Sequence, residues 1–223
     1  MVLVDEEWRR QGLASQLMRA CLDRAEYLGL APMLDATEAG RPVYERLGFV
    51  TGERIIRMEG RGVRRESGRV ADVWMDGVIR PVTDEDMERL SEWDAVRFGA
   101  SRSHVLRELR RRMPGASFVW ERDDEIRGFV LARDGRRSTQ VGPVMAEDEE
   151  QAIRLVRRAL IRLRTASDPA IMIDVSEDQE GLIEYLKTSG FKPVRAFTRM
   201  ALGIALSVGR SADRFASGGP EMG

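Results

Sequence analysis

Cysteine and histidine are almost absent from this chain: Cys21 is the only cysteine and His104 the only histidine in 223 residues. A single cysteine excludes an intrachain disulfide and a cysteine-based metal cluster. A single histidine excludes a histidine-rich metal centre and a pair of histidine catalysts, so no metal is expected. No apolar run approaches the roughly 20 residues a membrane span needs. Asp5, Glu6 and Glu7 stand near the N-terminus where a signal peptide would have a basic region and a cleavable apolar core. The expectation is a cytoplasmic protein with no membrane partner. Charge of one sign is not in excess either: 36 Lys and Arg face 37 Asp and Glu, which leaves no overall field to attract nucleic acid.

What is present is an ordinary apolar fraction of 43 % in a chain long enough for one large domain or two small ones. Val2-Leu3-Val4 reads as a short strand, and Arg9-Arg10-Gln11-Gly12-Leu13-Ala14-Ser15 as a donor-rich turn entering a helix. Leu13, Leu17, Cys21, Ala25 and Leu28 recur at helical spacing, with Met18 and Leu22 widening the face, so Cys21 reads as a small core side chain. A turn of this kind can aim several backbone N–H groups at one point, and the helix dipole adds to the pull on an anion. Two readings are open on physics alone: a phosphate site, or a solvated basic helix start.

Further along, Pro32–Ala36 predicts a strand, Pro42–Leu47 a short helix, and Phe49-Val50 and Ile55–Glu59 two more strands. Residues 60–77 are rich in Gly, Arg, Glu and Ser and read as a linker, with at most a short strand near Val73. Arg61, Arg64, Arg65 and Arg69 make it basic, but without interleaved aromatics it does not point to nucleic acid. Beyond it the pattern predicts a strand at Val78–Val82, two helices, and a hairpin around Asp123-Asp124. A strand at Thr139–Met145, a helix at Glu149–Leu163, a strand at Ala170–Val175 and a helix at Glu180–Ser189 follow, then two closing strands at Phe191 and Phe197–Ala201. Residues 207–223 read as a flexible tail.

The two parts end alike. Leu34-Asp35-Ala36 leads through a helix to Leu47-Gly48-Phe49 and on to Arg57-Met58. Ile173-Asp174-Val175 leads through a helix to Ser189-Gly190-Phe191 and on to Arg199-Met200, with the same Gly-Phe to Arg-Met spacing. The second copy is whole, and the first has only the closing elements of the series.

Arg9-Arg10-Gln11-Gly12-Leu13-Ala14, the helix behind it and Tyr44-Glu45-Arg46-Leu47-Gly48-Phe49 together resemble the GNAT (general N-acetyltransferase) superfamily, in its bacterial tandem-domain form. The resemblance implies an α/β (α+β) acyl-CoA N-acyltransferase fold: a mixed, mostly antiparallel central sheet flanked by helices, in one partial and one complete copy. It divides the chain into 1–59 (the C-terminal half of a domain, truncated at its N-terminus), the linker 60–77, a degenerate second domain 78–206 and the tail 207–223. It implies acetyl-CoA as cosubstrate and a small-molecule or peptide amine as acceptor, and a homodimer is compatible with it. Arg9, Gln11, Gly12, Leu13, Ala14 and Ser15 would hold the pyrophosphate, and Val4 the pantetheine arm. Tyr44 would protonate the departing thiolate, a step within reach of a phenol hydroxyl; its other reading is a core residue behind the Gly-Phe turn.

The second copy departs from the pattern. Leu186 stands where Tyr44 does, and Ala146-Glu147-Asp148-Glu149-Glu150 replaces the Gly-rich turn. Four carboxylates suit a helix start and repel a pyrophosphate. Asp35 and Glu38 are candidate bases near the cleft, and His104 a candidate substrate contact or a surface residue; the base stays unassigned. A non-catalytic interaction or regulatory protein built on these domains is the competing function.

Overall fold

The computed structural model describes residues 4–61, 73–74, 77–163, 170–202 and 212–220. In chain order the elements are α1 (Leu13–Tyr27), β1 (Met33–Ala36), α2 (Arg41–Glu45), β2 (Val50–Gly60), β3 (Val73–Trp74), β4 (Gly77–Pro81), α3 (Met87–Phe98), α4 (Ser103–Arg112), β5 (Phe118–Arg122), β6 (Glu125–Arg133), β7 (Ser138–Ala146), α5 (Glu149–Arg162), β8 (Ala170–Ser176), α6 (Glu180–Thr188), β9 (Lys192–Ala201) and β10 (Arg214–Ser217). The strands form one sheet in the order β1-β9-β2-β8-β10-β7-β6-β5-β4-β3. Every pairing is antiparallel except β7 with β8, which run parallel where Ser138–Val141 face Ala170–Ile173. This is the mixed, mostly antiparallel architecture that the resemblance implies.

Strand alternation divides the core of the complete copy into two layers. Val119, Phe129 and Leu131 point to one face and pack with Leu90, Leu106 and Leu109 of α3 and α4. Phe118, Val130 and Ala132 point to the other, against Leu155, Val156 and Leu160 of α5 and Leu186 of α6. The Asp123-Asp124 hairpin closes with φ of 53° and 59° at its two central residues, the left-handed pair that a two-residue turn needs to match strand twist.

The first copy is thinner. Ala36 and Phe49 of this copy are buried with Met200 of β9, and Met18, Leu22, Leu34, Tyr44 and Leu47 pack partly against them. No residue of α1 is fully buried. Of the expected face, the edge formed by Met18 and Leu22 packs and the centre does not: Leu17 and Leu28 are about half exposed, and Cys21 lies at the surface rather than in a core.

The internal repeat is written into the hydrogen bonding. Tyr44 O accepts from Phe49 N–H at 3.1 Å, and Leu186 O accepts from Phe191 N–H at 2.9 Å. Between each pair stands a glycine in the left-handed region, Gly48 at φ 87° and Gly190 at φ 89°, which an L side chain would strain.

The strands that follow these turns are exchanged. β2, from the first copy, pairs with β8 of the second; β9, from the second, pairs with β1 of the first; and β2 and β9 pair with each other. Arg57 faces Asp174 across one join and Arg199 faces Asp35 across the other. Both pairs are bidentate, at 2.7 and 2.7 Å for Arg57–Asp174 and 2.8 and 2.9 Å for Arg199–Asp35. Ile55 and Phe197, which occupy the same place in the two repeats, face each other on the pseudo-twofold axis.

Four expectations need correction or narrowing. The paired short strands at 49–50 and 55–59, and at 191 and 197–201, are one long strand each, because a strand shared by two neighbours is hydrogen-bonded along its length. The expected tail from 207 contains β10, whose residues Arg214–Ser217 are all buried between β7 and β8, where those strands diverge after Val141 and Ile173. The Val2–Val4 strand falls outside the described residues apart from Val4, which is in no strand. Of the linker, Gly60 ends β2, Val73-Trp74 pair with β4, and the remaining basic residues beyond Arg61 lie outside the described residues.

Candidate functional site

The turn before α1 has the geometry its sequence predicts. Gly12 caps the helix at φ 80°, a value suited to glycine, and a Cβ built there would meet nothing within 4 Å. The first bond within the helix runs from the Gln16 N–H to the Gly12 carbonyl at 3.0 Å. The N–H groups of Leu13, Ala14 and Ser15 precede it and have no acceptor inside the helix. Open space in front of a glycine, flanked by unspent N–H donors at a helix N-terminus, fits a phosphate group. Arg10 also stands in the left-handed region, at φ 66°. The Arg9 guanidinium is turned to the Val4 carbonyl (3.1 Å) and the Glu6 carboxylate (3.2 Å), beside the turn rather than in front of it.

Two hollows flank α1. One, of about 540 Å³, lies against the N-terminal segment and brings Val4 and Leu13 together with Trp8 and Leu17. The other, of about 760 Å³, has Tyr44 and Phe49 on one side, Met18 and Leu22 of α1 on another, and Arg195 and Phe197 of β9 across from them. The structure therefore separates the predicted residues: Val4 and Leu13 share the first hollow, Tyr44 faces the second, and α1 runs between. The Tyr44 ring meets Phe49 edge-on at 5.9 Å, which fixes it behind the Gly-Phe turn while leaving it on the cavity wall. Both of its readings are thus compatible with one placement.

The candidate bases are otherwise engaged. Asp35 is held by Arg199, and both side chains are nearly inaccessible. Burial opposes the Arg199 charge, but the Asp35 hydrogen bond and the fields of Asp35, Glu53 and Asp174 outweigh it, and the guanidinium stays above its usual pKa. Burial and the Arg199 charge push Arg214 the other way, below its usual range, against the pull of its ion pair with Glu53. Glu38 is exposed and 3.4 Å from Arg41. His104 is exposed at the start of α4.

At the matching position in the second copy the geometry is closed. Asp148 accepts from the Gln151 N–H at 2.8 Å, so a carboxylate of this chain takes a donor at the start of α5, and Glu149 reaches across to accept from the Gly181 N–H of α6 at 2.9 Å. Glu147 is paired with Arg127 and Arg97, at 3.2 and 3.5 Å. β10 fills the space between the diverging strands, pairing with Met145 and Val144 on one side and Val175 and Asp174 on the other. The sequence reading missed β10 and Arg195. The signal for β10 was there: Phe215-Ala216 is an apolar pair inside a small-residue tail. Arg195 carries no local signal, since strand exchange alone brings it to Tyr44.

Among the described residues no group of three or more His, Cys, Asp or Glu could hold a metal ion, and no helix is long and apolar enough to cross a membrane.

Both parts of the chain are similar to known proteins. Residues 90–212, more than half of the chain, match a family model described as an acetyltransferase (GNAT) domain, and residues 1–63 match a second model of the same description. The chain is 24 % identical over 191 residues to the uncharacterized N-acetyltransferase YitH of Bacillus subtilis (strain 168), covering 86 % of this chain and 64 % of that protein. It thus spans less than two thirds of the length of this relative. A crystal structure from Pyrococcus horikoshii, classed as an acetyltransferase, superposes with a TM-score of 0.72 at 21 % identity over 99 % of this chain and 69 % of that one. A GCN5-related N-acetyltransferase from Sphaerobacter thermophilus gives 0.62 at 14 % identity, over 89 % and 70 %. With both of its halves matched at the level of family and its sheet built to the same plan, the chain belongs to the GNAT acetyltransferase family.

Proposed function

We propose that this protein transfers an acetyl group from acetyl-CoA to an amine, with the first copy holding the acyl-CoA and the second lending structure and one wall of the acceptor side. The observation that carries this reading is the Gly12 turn: a left-handed glycine facing open space, followed by N–H groups without intrahelical acceptors. The second copy, with Asp148 on the Gln151 N–H, acidic residues through the first turn of α5 and β10 in the strand divergence, supports one CoA site rather than two. Among the turn residues, Gln11 to Ser15 would hold the pyrophosphate, with Arg9 alongside and Val4 next to the arm.

In the chemical step an uncharged amine attacks the thioester carbonyl, the C–N bond forms, and the C–S bond breaks as the tetrahedral adduct collapses. The sulfur leaves as a thiolate and needs a proton. The Tyr44 hydroxyl on the cavity wall would supply it and regain one, through solvent, from the attacking nitrogen, which is cationic in the adduct and loses a proton as the amide forms.

Calorimetry with CoA on the wild type and Gly12→Asp tests the binding half, because the variant puts a carboxylate and a strained backbone where the phosphate must approach. Binding by the wild type and its loss in the variant are expected; equal affinity would move the ligand elsewhere. In the same proteins, Tyr44→Phe should lower turnover by about 10²-fold, the low end for a positioned acid, and leave CoA affinity nearly unchanged. Full turnover would remove Tyr44 from the mechanism. CoA binding without transfer to any small amine or peptide N-terminus would instead favour the non-catalytic interaction role.

A further inference from the structure

The 760 Å³ cavity has two chemically distinct walls. Met18, Leu22, Leu34 and Phe49 give it an apolar side, and Arg57, Arg133 and Arg195 a basic one. The one carboxylate in its lining, Asp35, is already bound to Arg199. Arg57 is likewise bound to Asp174.

Arg195 differs. It stands directly opposite Arg57 across the β2–β9 pairing, exposed, and no carboxylate pairs with it among the described residues. Like charges directly opposite on neighbouring strands repel; Asp174 takes up the Arg57 charge, and the Arg195 charge faces the cavity with no carboxylate on it among the described residues. An anion in the cavity would offset it. Phe197, on the same face of β9, stacks under the Arg57 guanidinium at 5.0 Å and continues the apolar wall. All of this reaches Tyr44 only because β9 is exchanged into the first copy.

We infer that this cavity takes an acceptor amine bearing an anionic group on an apolar body, with Arg195 of the second copy as the residue that selects for the anion. The inference rests on the acetyl-transfer reading for the word acceptor, but its binding chemistry is independent of it. The product of such a transfer is an N-acetylated amine that keeps its anion, so N-acetyl-L-phenylalanine serves as the probe. N-acetyl-L-phenylalaninamide is its neutral counterpart, and phenyl phosphate shows whether the anion is read as a carboxylate or as any oxyanion.

Calorimetry on the whole chain, with and without saturating CoA, should find the acid bound about tenfold or more tightly than the amide, the worth of one charge-assisted hydrogen bond. Arg195→Gln, an exposed change that leaves the fold intact, should remove that preference and spare the amide. Arg195→Lys should restore part of it. Equal affinities for acid and amide, failure of the acid to bind, or an unchanged preference in Arg195→Gln would each overturn the inference. So would exclusion of the acid by CoA, which would give the basic wall to CoA rather than to the acceptor. Failure of CoA to bind anywhere would end the acetyl-transfer reading and leave the acid-over-amide result to stand or fall by itself.

Discussion

The two copies of one unit have kept opposite halves of its properties. The second has the depth: two packed layers, and a pair of helices on each face of its sheet. The first has a helix with no fully buried residue and a three-residue buried core that borrows Met200 from the other copy. Yet the first has a turn with donors to spare, while the second caps the equivalent helix start with its own Asp148 and closes the strand divergence with β10. Deep packing and unspent donors are thus separable in one fold. A cleft needs unsatisfied groups, and unsatisfied groups are what a stable core avoids. Exchange of β2 and β9 lets one copy supply the stability and the other the cleft.

If that exchange makes the copies one unit, breaking either join should unfold both. The largest effect is expected at Asp35. Asp35→Ala takes the bidentate partner from Arg199 in a site with almost no access to water and leaves it only Glu53 at 3.4 Å, at a cost of at most about 3–5 kcal/mol. Asp174→Ala should fall at or below the lower end of that range, because the Arg57 side chain keeps 21 % of its surface exposed and can take up water. Chemical denaturation followed by far-UV circular dichroism should show one transition, shifted, in both variants. Two transitions would mean that the copies fold separately and that the exchange is only a contact.

The next effect sharpens the contrast at the two equivalent positions. Leu186 is fully buried on the inner face of α6, so Leu186→Ala should cost about 2–5 kcal/mol. Tyr44→Phe removes only a hydroxyl from a half-buried ring and should leave the melting temperature nearly unchanged. A comparable loss in both would make Tyr44 a core residue first and weaken its assignment as the acid.

Much of this was legible in the residues, because much of it is local. The helices over Glu149–Arg162 and Glu180–Thr188 follow from apolar spacing, and the Asp123-Asp124 hairpin from turn chemistry. The Gly12 turn shows in a donor-rich run with one glycine ahead of a stretch with helical apolar spacing. What could not be read is what depends on partners distant in sequence. Asp35 looked like a free base because Arg199 is 164 residues away. Cys21 looked internal because periodicity gives the apolar face of a helix but not how much core awaits it. The tail looked frayed because Ser, Gly and Ala carry little burial signal, and β10 is held by a wedge between two strands rather than by its own composition.

The smallest effect expected is in acid, and it asks whether loss of the deep copy takes the thin one with it. On the outer edge of the second copy, Arg80 hydrogen-bonds Asp86 at 2.6 and 2.8 Å and Glu121 at 2.6 and 2.8 Å, and the Thr83 N–H and hydroxyl also donate to Asp86 at 2.8 Å. The Arg80 hydrogen bond holds Asp86 well below the usual carboxylate range and outweighs the opposing effect of burial; the same guanidinium lowers Glu121. A carboxyl whose pKa is depressed by folding contributes stability that is fully present above its unfolded value of about 4 and is lost as pH falls through its folded value. Wild-type stability should therefore fall from about pH 4 downward, as the unfolded chain takes up protons that the folded one refuses. Asp86→Asn removes one of those sites, so the variant should start less stable at neutral pH and lose less below pH 4. Melting temperatures from pH 7 to pH 2.5 would show the two curves converging, and parallel curves would show that Asp86 contributes nothing to the acid response. Because Arg80, Asp86 and Glu121 all belong to the second copy, fluorescence should move with them only there if the copies are independent. Coupled through β2 and β9, exposed Trp8 in the first copy and buried Trp120 in the second should report the same acid midpoint.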